Sequence, residues 1–256
     1  MSVLKLAPHI HTEASDDSDW PLRRLASTLK WWGFDGMLVS DHDRTMDGSK
    51  WRRLQAECDR VGDETGFLIV PGVEYQDPDH VVHVPVFGRM PFQGRSPDIM
   101  SLMRSAREQG SVAVFAHPAR RNAWQRWSPK WAAHLSGIEV WNRKYDGIAP
   151  NAWALDTARE HDLMPMVGLD WHGPRQLFGL ALEVPAPAAA TNRARSDAVL
   201  AVVLTGRARC TAFSVGVERF ADGFLGDLTR RAERTRAWLA PRVRRLEALV
   251  GRGPIP

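Results

Sequence analysis

The sequence predicts an α/β fold: one barrel of mostly parallel strands joined by crossover helices. Three observations point there. The chain has 256 residues, 44% of them hydrophobic, enough for one large core at the length typical of a single α/β barrel. Short β-rich apolar runs alternate with segments of helix length. Polar clusters fall at the C-terminal ends of those runs, the face on which a parallel barrel gathers its chemistry.

Taken in order, the strand-like runs are Leu4–Ile10, Gly36–Ser40, Phe67–Val73, Val81–Phe87, Ser111–Phe115, Gly137–Trp141, Met164–Leu169, Leu177–Val184 and Arg209–Ser214. Helices are expected over Trp20–Trp32, Ser49–Thr65, Pro97–Gln109, Pro150–His161 and Ser196–Leu204. The Ala- and Pro-rich stretch Pro185–Arg195 reads as a loop. One domain spans 1–256, and its segment 217–256 is basic, amphipathic and helical, with an interruption at Pro241. In that segment Arg230, Arg231, Arg234, Arg236, Arg242, Arg244 and Arg245 interleave with Leu225, Leu228, Trp238, Leu239, Leu246 and Leu249. The pattern suits a solvated helix that closes the barrel, so the net charge of +4 carries little functional weight.

Six of the nine histidines sit at strand ends beside carboxylates. The clusters are His9-Ile10-His11, Ser15-Asp16, Asp41-His42-Asp43, Glu74, His83, His117 and Asp170-Trp171-His172. Residues i and i+2 of a strand point the same way, so His9 with His11, and Asp170 with His172, can each enter one pocket. So many separated donor clusters imply a multinuclear metal centre. Cys58 and Cys210 lie far apart without CxxC spacing, which argues against a disulfide framework and leaves His and carboxylate to hold the metal. No apolar run reaches about 18 residues, and the start MSVLKLAPHI lacks a signal-peptide core. A cytoplasmic protein without membrane contact is expected.

Several assignments stay open. Asp16 and Asp17 are both placed to ligate, His83 is favoured over His80 by strand alternation, and Asp43 could orient an imidazole. Arg120 and Arg121 after His117, Arg143 with Lys144 after the Gly137–Trp141 run, and Arg175 after His172 belong to loops on the same face. They are candidates for gripping an anionic substrate. Of the eleven tryptophans, Trp124, Trp127, Trp141, Trp153 and Trp171 are candidate aromatic walls for a ring-bearing substrate. Trp31, Trp32, Trp51 and Trp238 read as packing residues.

HIHTEASDD, SDHD, VPGVEY, VHVPVFG, VFAHPAR and GLDWHG resemble, in order and spacing, the motifs of the PHP family, named for polymerase and histidinol phosphatase. The resemblance runs from Met1 to about Gly216. It implies a distorted TIM-like barrel of seven strands and helices binding two to three divalent ions, with zinc, manganese or iron all compatible with the donors. Carried over by motif, His9, His11, Glu74 and Asp170 would hold one ion, and Glu74 would bridge to a second held by His83 and His117. Asp16, His42 and His172 would hold a third.

The implied function is a metal-dependent phosphoesterase cleaving a phosphate mono- or diester with a hydroxide shared between ions. Glu74 would set the spacing, and His42 or His172 would serve as acid where the third site is empty. The substrate would be a phosphorylated small molecule; nucleic acid stays open as a substrate through the basic surface, without an aromatic-rich binding motif to support it. Ala7, Leu169 and Trp171 depart from the family pattern, and the short span from His83 to His117 leaves no room for an inserted lid domain. LTGRARCTAF resembles an element of smaller PHP hydrolases, including some that cleave carbamate esters. A hydrolase of a non-phosphate ester or carbamate is therefore the alternative, followed by a non-catalytic metal-binding accessory domain.

Overall fold

The computed structural model describes residues 2–249. The chain begins with β1 (Val3–Ile10), α1 (Leu22–Trp31), β2 (Gly36–Val39), β3 (Asp41–His42), α2 (Gly48–Thr65), β4 (Leu68–Val70), β5 (Gly72–Gln76), β6 (His83–Phe87), α3 (Ile99–Glu108) and β7 (Val112–Phe115). It continues with β8 (Gly137–Asn142), α4 (Ala152–Glu160), β9 (Met164–Gly168), β10 (Leu180–Pro185), α5 (Asn192–Leu204), β11 (Arg209–Ala212), β12 (Val215–Gly216) and α6 (Gly223–Leu249).

These strands form two six-stranded sheets, ordered β12-β11-β10-β1-β2-β4 and β3-β5-β6-β7-β8-β9, and not one continuous closed barrel ladder. The division falls where two expected strands break. The Phe67–Val73 run splits at Pro71, which has no N–H to donate, so β4 pairs with β2 while β5 pairs with β3 and β6. The neighbouring strand breaks at Ser40 between β2 and β3. At the opposite side the sheets touch along Leu169–Trp171, which runs beside β1. Leu169 N–H donates to the Pro8 carbonyl at 3.0 Å, and Trp171 N–H to that of His9 at 3.1 Å.

The sheets are also less parallel than expected. β6 is antiparallel to both β5 and β7, and β10 and β11 extend β1 in antiparallel fashion. The reversal of β6 matters for the site: it puts His83, the first residue of β6, at the same end as the last residues of the parallel strands. A two-residue turn, Phe213–Ser214, joins β11 to β12 with both residues at positive φ, the hairpin geometry that follows strand twist.

The helices bury one stripe each. α1 buries Leu22, Leu25, Ala26 and Leu29, and α3 buries Ile99, Leu102, Met103 and Ala106, both at the i, i+3, i+4, i+7 spacing of one helical face. Asp47, Asp98 and Asn151 accept backbone N–H groups at the starts of α2, α3 and α4, and Gly66 ends α2 with φ +68°. Pro97 and Pro150 therefore stand before the caps and outside the helices they were expected to open.

α5 starts at Asn192, inside the expected Pro185–Arg195 loop. Thr191 caps Ala194 N–H, and the buried Asn192 side chain accepts Ile69 N–H at 2.8 Å and donates to the Ile69 carbonyl at 2.9 Å. A tertiary clasp thus holds a first turn that has no apolar pattern.

α6 runs through Pro241 without the expected interruption. Leu225 packs against the core, and Glu233 accepts the Ile148 N–H at 2.9 Å. Phe224, Leu228, Trp238 and Leu239 stay exposed, so the described side chains of α6 do not close the fold with a buried apolar face; those of Arg244, Leu246 and Leu249 lie outside the described ones. Residues from 250 on, including Arg252, lie outside the described residues. Among those described, no helix is long and apolar enough to cross a membrane.

The tryptophans are distributed differently from expectation. Trp141 and Trp171 are wholly buried, and Trp127 and Trp153 pack around Phe115. Trp124 lies beside Trp153 in that outer cluster. Trp51 is a core residue, but Trp31, Trp32 and Trp238 are exposed. Of the five candidate walls, Trp171 backs a surface cleft with Trp32, Phe34, Phe178 and Phe213, a lining that includes none of the clustered histidines.

Candidate metal centre

Glu74, the middle residue of the buried strand β5, is the hub. Five imidazoles converge on its carboxylate. His9 Nε2, His83 Nδ1 and His117 Nε2 stand 3.3, 3.0 and 3.0 Å from Oε1, and His42 Nδ1 and His11 Nε2 stand 2.9 and 3.7 Å from Oε2. Asp170 completes the ring, with Oδ1 3.5 Å from His11 Nε2 and 3.3 Å from His172 Nδ1. All these residues except His172 are buried.

Backbone geometry makes the convergence possible. His9, His117 and Asp170 have φ of 61°, 28° and 50°, left-handed conformations that cost about 1–3 kcal/mol each in residues other than glycine. Each stands where a strand ends, and the turn swings its side chain into the space enclosed by the strand tips.

Four overlapping groups of donor atoms lie within 4.8 Å of one another: His9, His11 and Glu74; His9, His117 and Asp170; His42, Glu74 and His83; and His11, Asp17, His42 and His172. The pairing of candidates thus differs in detail from the three sets the resemblance implies. The donors fit divalent ions on a direct observation: His9 Nε2, His11 Nε2, His42 Nδ1, His117 Nδ1 and both nitrogens of His83 are buried without a well-directed hydrogen bond. Buried polar atoms are rarely left so, and imidazole nitrogens gathered with carboxylate oxygens around one space are the donor set a His/carboxylate ion site requires.

The acid in the outermost group is Asp17, not Asp16. Asp17 Oδ2 lies 3.1 Å from His42 Nε2 and 3.0 Å from His172 Nε2, whereas both oxygens of Asp16 accept from Arg44 Nε at 2.9 Å. The turn after β1 directs the two neighbouring side chains differently, which sequence spacing does not reveal. His83 lies in the cluster, while His80 sits in the preceding turn, where its carbonyl accepts from Arg120 and Arg121.

Charge is balanced within the centre. Burial disfavours ionised Glu74 and Asp170, but the surrounding imidazoles outweigh it and hold both well below the usual carboxylate range. Burial likewise opposes a charge on His42 and His9, yet carboxylates raise His42 to about 9 and His9 well above its ordinary value. Burial dominates at His11 and His83, lowering them to about 3 and 4.

A supporting layer fixes these side chains. Glu139 Oε1 lies 2.6 Å from His9 Nδ1, and Oε2 accepts the His117 N–H and the Asn142 side-chain N–H, each at 2.8 Å. Glu139 was absent from the sequence candidates; its only signal is a lone acid in the apolar strand Gly137–Asn142. Asp41 accepts from Thr12 N–H and Oγ1 and from Ser15 Oγ, tying down the loop after β1. Asp43 orients no imidazole: it accepts the Ser96 N–H at 2.7 Å.

The candidate arginines do not gather at the centre. Arg120 and Arg121 clasp the His80 carbonyl, Arg175 is exposed on a short turn, and Arg143 lies over the Phe178 ring at 5.0 Å. Lys144 takes the place expected of Arg143, with Nζ 3.6 Å from Asp170 Oδ1 and 3.2 Å from His172 Nε2. Tyr145 stands beside it, its ring centroid 4.9 Å from that of His117.

No family model matches the chain, and no curated protein matches it. Among solved structures it is similar to a two-domain protein from Bacteroides vulgatus containing a predicted PHP-like metal-dependent phosphoesterase. That match has 19% identity and a TM-score of 0.59 over 82% of this chain, which spans 65% of the other's length. PsfC from Pseudomonas syringae is 15% identical with a TM-score of 0.57, over 92% of this chain and 99% of that one. The lesion-specific endonuclease PfuEndoQ from Pyrococcus furiosus is 14% identical with a TM-score of 0.53, over 76% and 55%. At these identities the likeness is one of fold, and it agrees with the resemblance to the PHP family carried by the motifs.

Proposed function

We propose that this chain is a metal-dependent hydrolase of the PHP family, a phosphoesterase acting on a phosphate mono- or diester of a small molecule. The observation that carries the reading is the convergence of five imidazole nitrogens on the Glu74 carboxylate. In this reading the two sheets are a seven-stranded barrel distorted at Ser40 and Pro71, in one domain with a basic C-terminal helix.

His9, His11, Glu74, His83, His117 and Asp170 would hold two ions, and Asp17, His42 and His172 a third, with zinc, manganese or iron as candidates. Bound ions would acidify a water and neutralise charge growing on a phosphoryl group. The protein's own part is positioning. Glu74 spans the two inner groups, Glu139 holds His9 and the backbone of His117, and Lys144 offers a cation at the rim. His172, partly exposed and 3.0 Å from Asp17, is placed to hand a proton to a leaving group when it is not itself a ligand.

The alternative, hydrolysis of a non-phosphate ester or carbamate, rests on the LTGRARCTAF element. Its Arg207 bonds Thr205 and its Thr211 bonds Glu183, and neither reaches the cluster. An accessory role suits a degraded ligand set, whereas here six histidines with Asp17, Glu74 and Asp170 stand in the donor groups.

The test is a chelator-stripped protein reconstituted with zinc, manganese or iron and assayed on phosphomonoesters, a phosphodiester and carboxylic and carbamate esters. Metal-dependent phosphate release with competitive inhibition by phosphate or vanadate is the expected result. Turnover of the carbonyl esters alone, indifferent to phosphate, would transfer the site to the other ester class.

A further inference from the structure

Resting on the phosphoesterase reading, we infer that Lys144 and Tyr145 together form the substrate-recognition edge of the centre. Lys144 grips an anionic oxygen, and Tyr145 stacks on a planar ring of the leaving group, so the substrate class is a phosphate ester of a ring-bearing alcohol or phenol.

Among the described residues two cations approach the cluster carboxylates at the rim. Arg44 is engaged by both oxygens of Asp16 and by Asp17. Among the described residues the polar partners of the Lys144 ammonium are candidate ligands: Asp170 Oδ1 at 3.6 Å and the His172 nitrogens at 3.3 and 3.2 Å. A nitrogen that donates its lone pair to an ion cannot also accept from an ammonium. Lys144 is then left with donors to spend on an anion, and its side chain is one-third exposed.

Tyr145 supplies the second contact. Its ring is tilted 52° to the His117 ring, and the residue stays 37% exposed, the one large exposed aromatic side chain among the described residues that touches a cluster imidazole. The Lys144 Nζ lies 5.6 Å from the Tyr145 centroid, so a phosphoryl group at the ammonium would leave its ring substituent beside the phenol.

Their placement is built in. Asn142 Oδ1 accepts the N–H groups of Lys144 and Tyr145 at 3.0 and 3.3 Å, and its Nδ2 donates to Glu139, the carboxylate that holds His9. Trp141 Nε1 donates to the Gly147 carbonyl at 3.2 Å, and Glu233 of α6 accepts the Ile148 N–H. The loop is braced at both ends, from the ligand network and from α6.

The experiment compares wild type, Lys144→Met and Tyr145→Leu, each metal-loaded and checked for unchanged metal content. It measures KM for an aryl phosphate and for glycerol phosphate, and binding of inorganic phosphate by calorimetry. Lys144→Met should weaken phosphate binding and raise KM for both esters by about tenfold or more, the value of one charge-assisted hydrogen bond. Tyr145→Leu should raise KM for the aryl ester by about threefold to tenfold and leave glycerol phosphate and inorganic phosphate unaffected. Lys144→Met binding phosphate like wild type, or Tyr145→Leu affecting both esters equally, would overturn the inference. Absence of phosphoester turnover in wild type would instead reject the underlying reading. In that case loss of phosphate binding in Lys144→Met would still support the lysine's role, and its retention would overturn it.

Discussion

At the scale of single residues the account turns on Glu74. Replacing it with Gln keeps the shape but removes the charge that faces five imidazoles. Glu74→Gln and His117→Ala are each expected to lower bound metal and abolish turnover while the circular dichroism spectrum stays native; near wild-type activity in either would sink the mechanism. Asp17→Asn should lose the outermost ion while Asp16→Asn keeps full metal content, read by elemental analysis of the two variants side by side. The histidines were legible because i, i+2 pairs at strand ends have little structural reason to exist. The choice between adjacent acids, or between Arg143 and Lys144, was not: which of two neighbours turns inward is decided by a turn's dihedral angles. Glu139 was hidden for a different reason, since an acid within an apolar strand looks the same whether it supports a ligand or caps a neighbour.

At the scale of elements, glycines show where the strands that carry the centre meet. Gly168 closes β9 against the Glu139 carboxylate, so an added Cβ would collide with Glu139. Gly168→Ala should destabilise the fold by about 1–3 kcal/mol and weaken metal retention in a chelator competition, because Glu139 holds His9. The loop after β8 carries a titrating group, Asp146, which burial pushes up to about 7 although Asn142 N–H and Asn151 donate to it. A folded-state pKa above the unfolded value of about 3.9 means that stability is present in full below pH 4 and lost as pH rises through 7. Asp146→Asn should therefore melt above wild type at pH 8, with the difference vanishing toward pH 4; equal melting temperatures across that range would remove Asp146 from the account. Helices with clean apolar stripes, α1 and α3, were readable to within about two residues at each end. The start of α5 was not, because a buried Asn clasping Ile69, and not apolar spacing, holds it.

At the scale of the whole molecule, strand–helix alternation correctly indicated an α/β fold and strand tips that share one face. Closure and strand direction were less visible. Pro71 was in plain view, but that it and Ser40 would divide the strands between two sheets depends on pairing across the sheet. The antiparallel course of β6 leaves no mark in a five-residue apolar run. A centre that gathers β1, β3, β5, β6 and the segments after β7 and β9 links distant parts of the chain, so ion binding should stabilise the native state by linkage. Chelator treatment is expected to lower the melting temperature reversibly, restored by adding back the ion. The most direct test of the central claim is elemental analysis of the purified protein paired with phosphomonoesterase and phosphodiesterase assays with and without chelator. Two to three ions per chain with chelator-sensitive phosphate release is the predicted result; a protein that neither carries nor takes up metal, or one fully loaded yet inert toward every phosphoester, would contradict it.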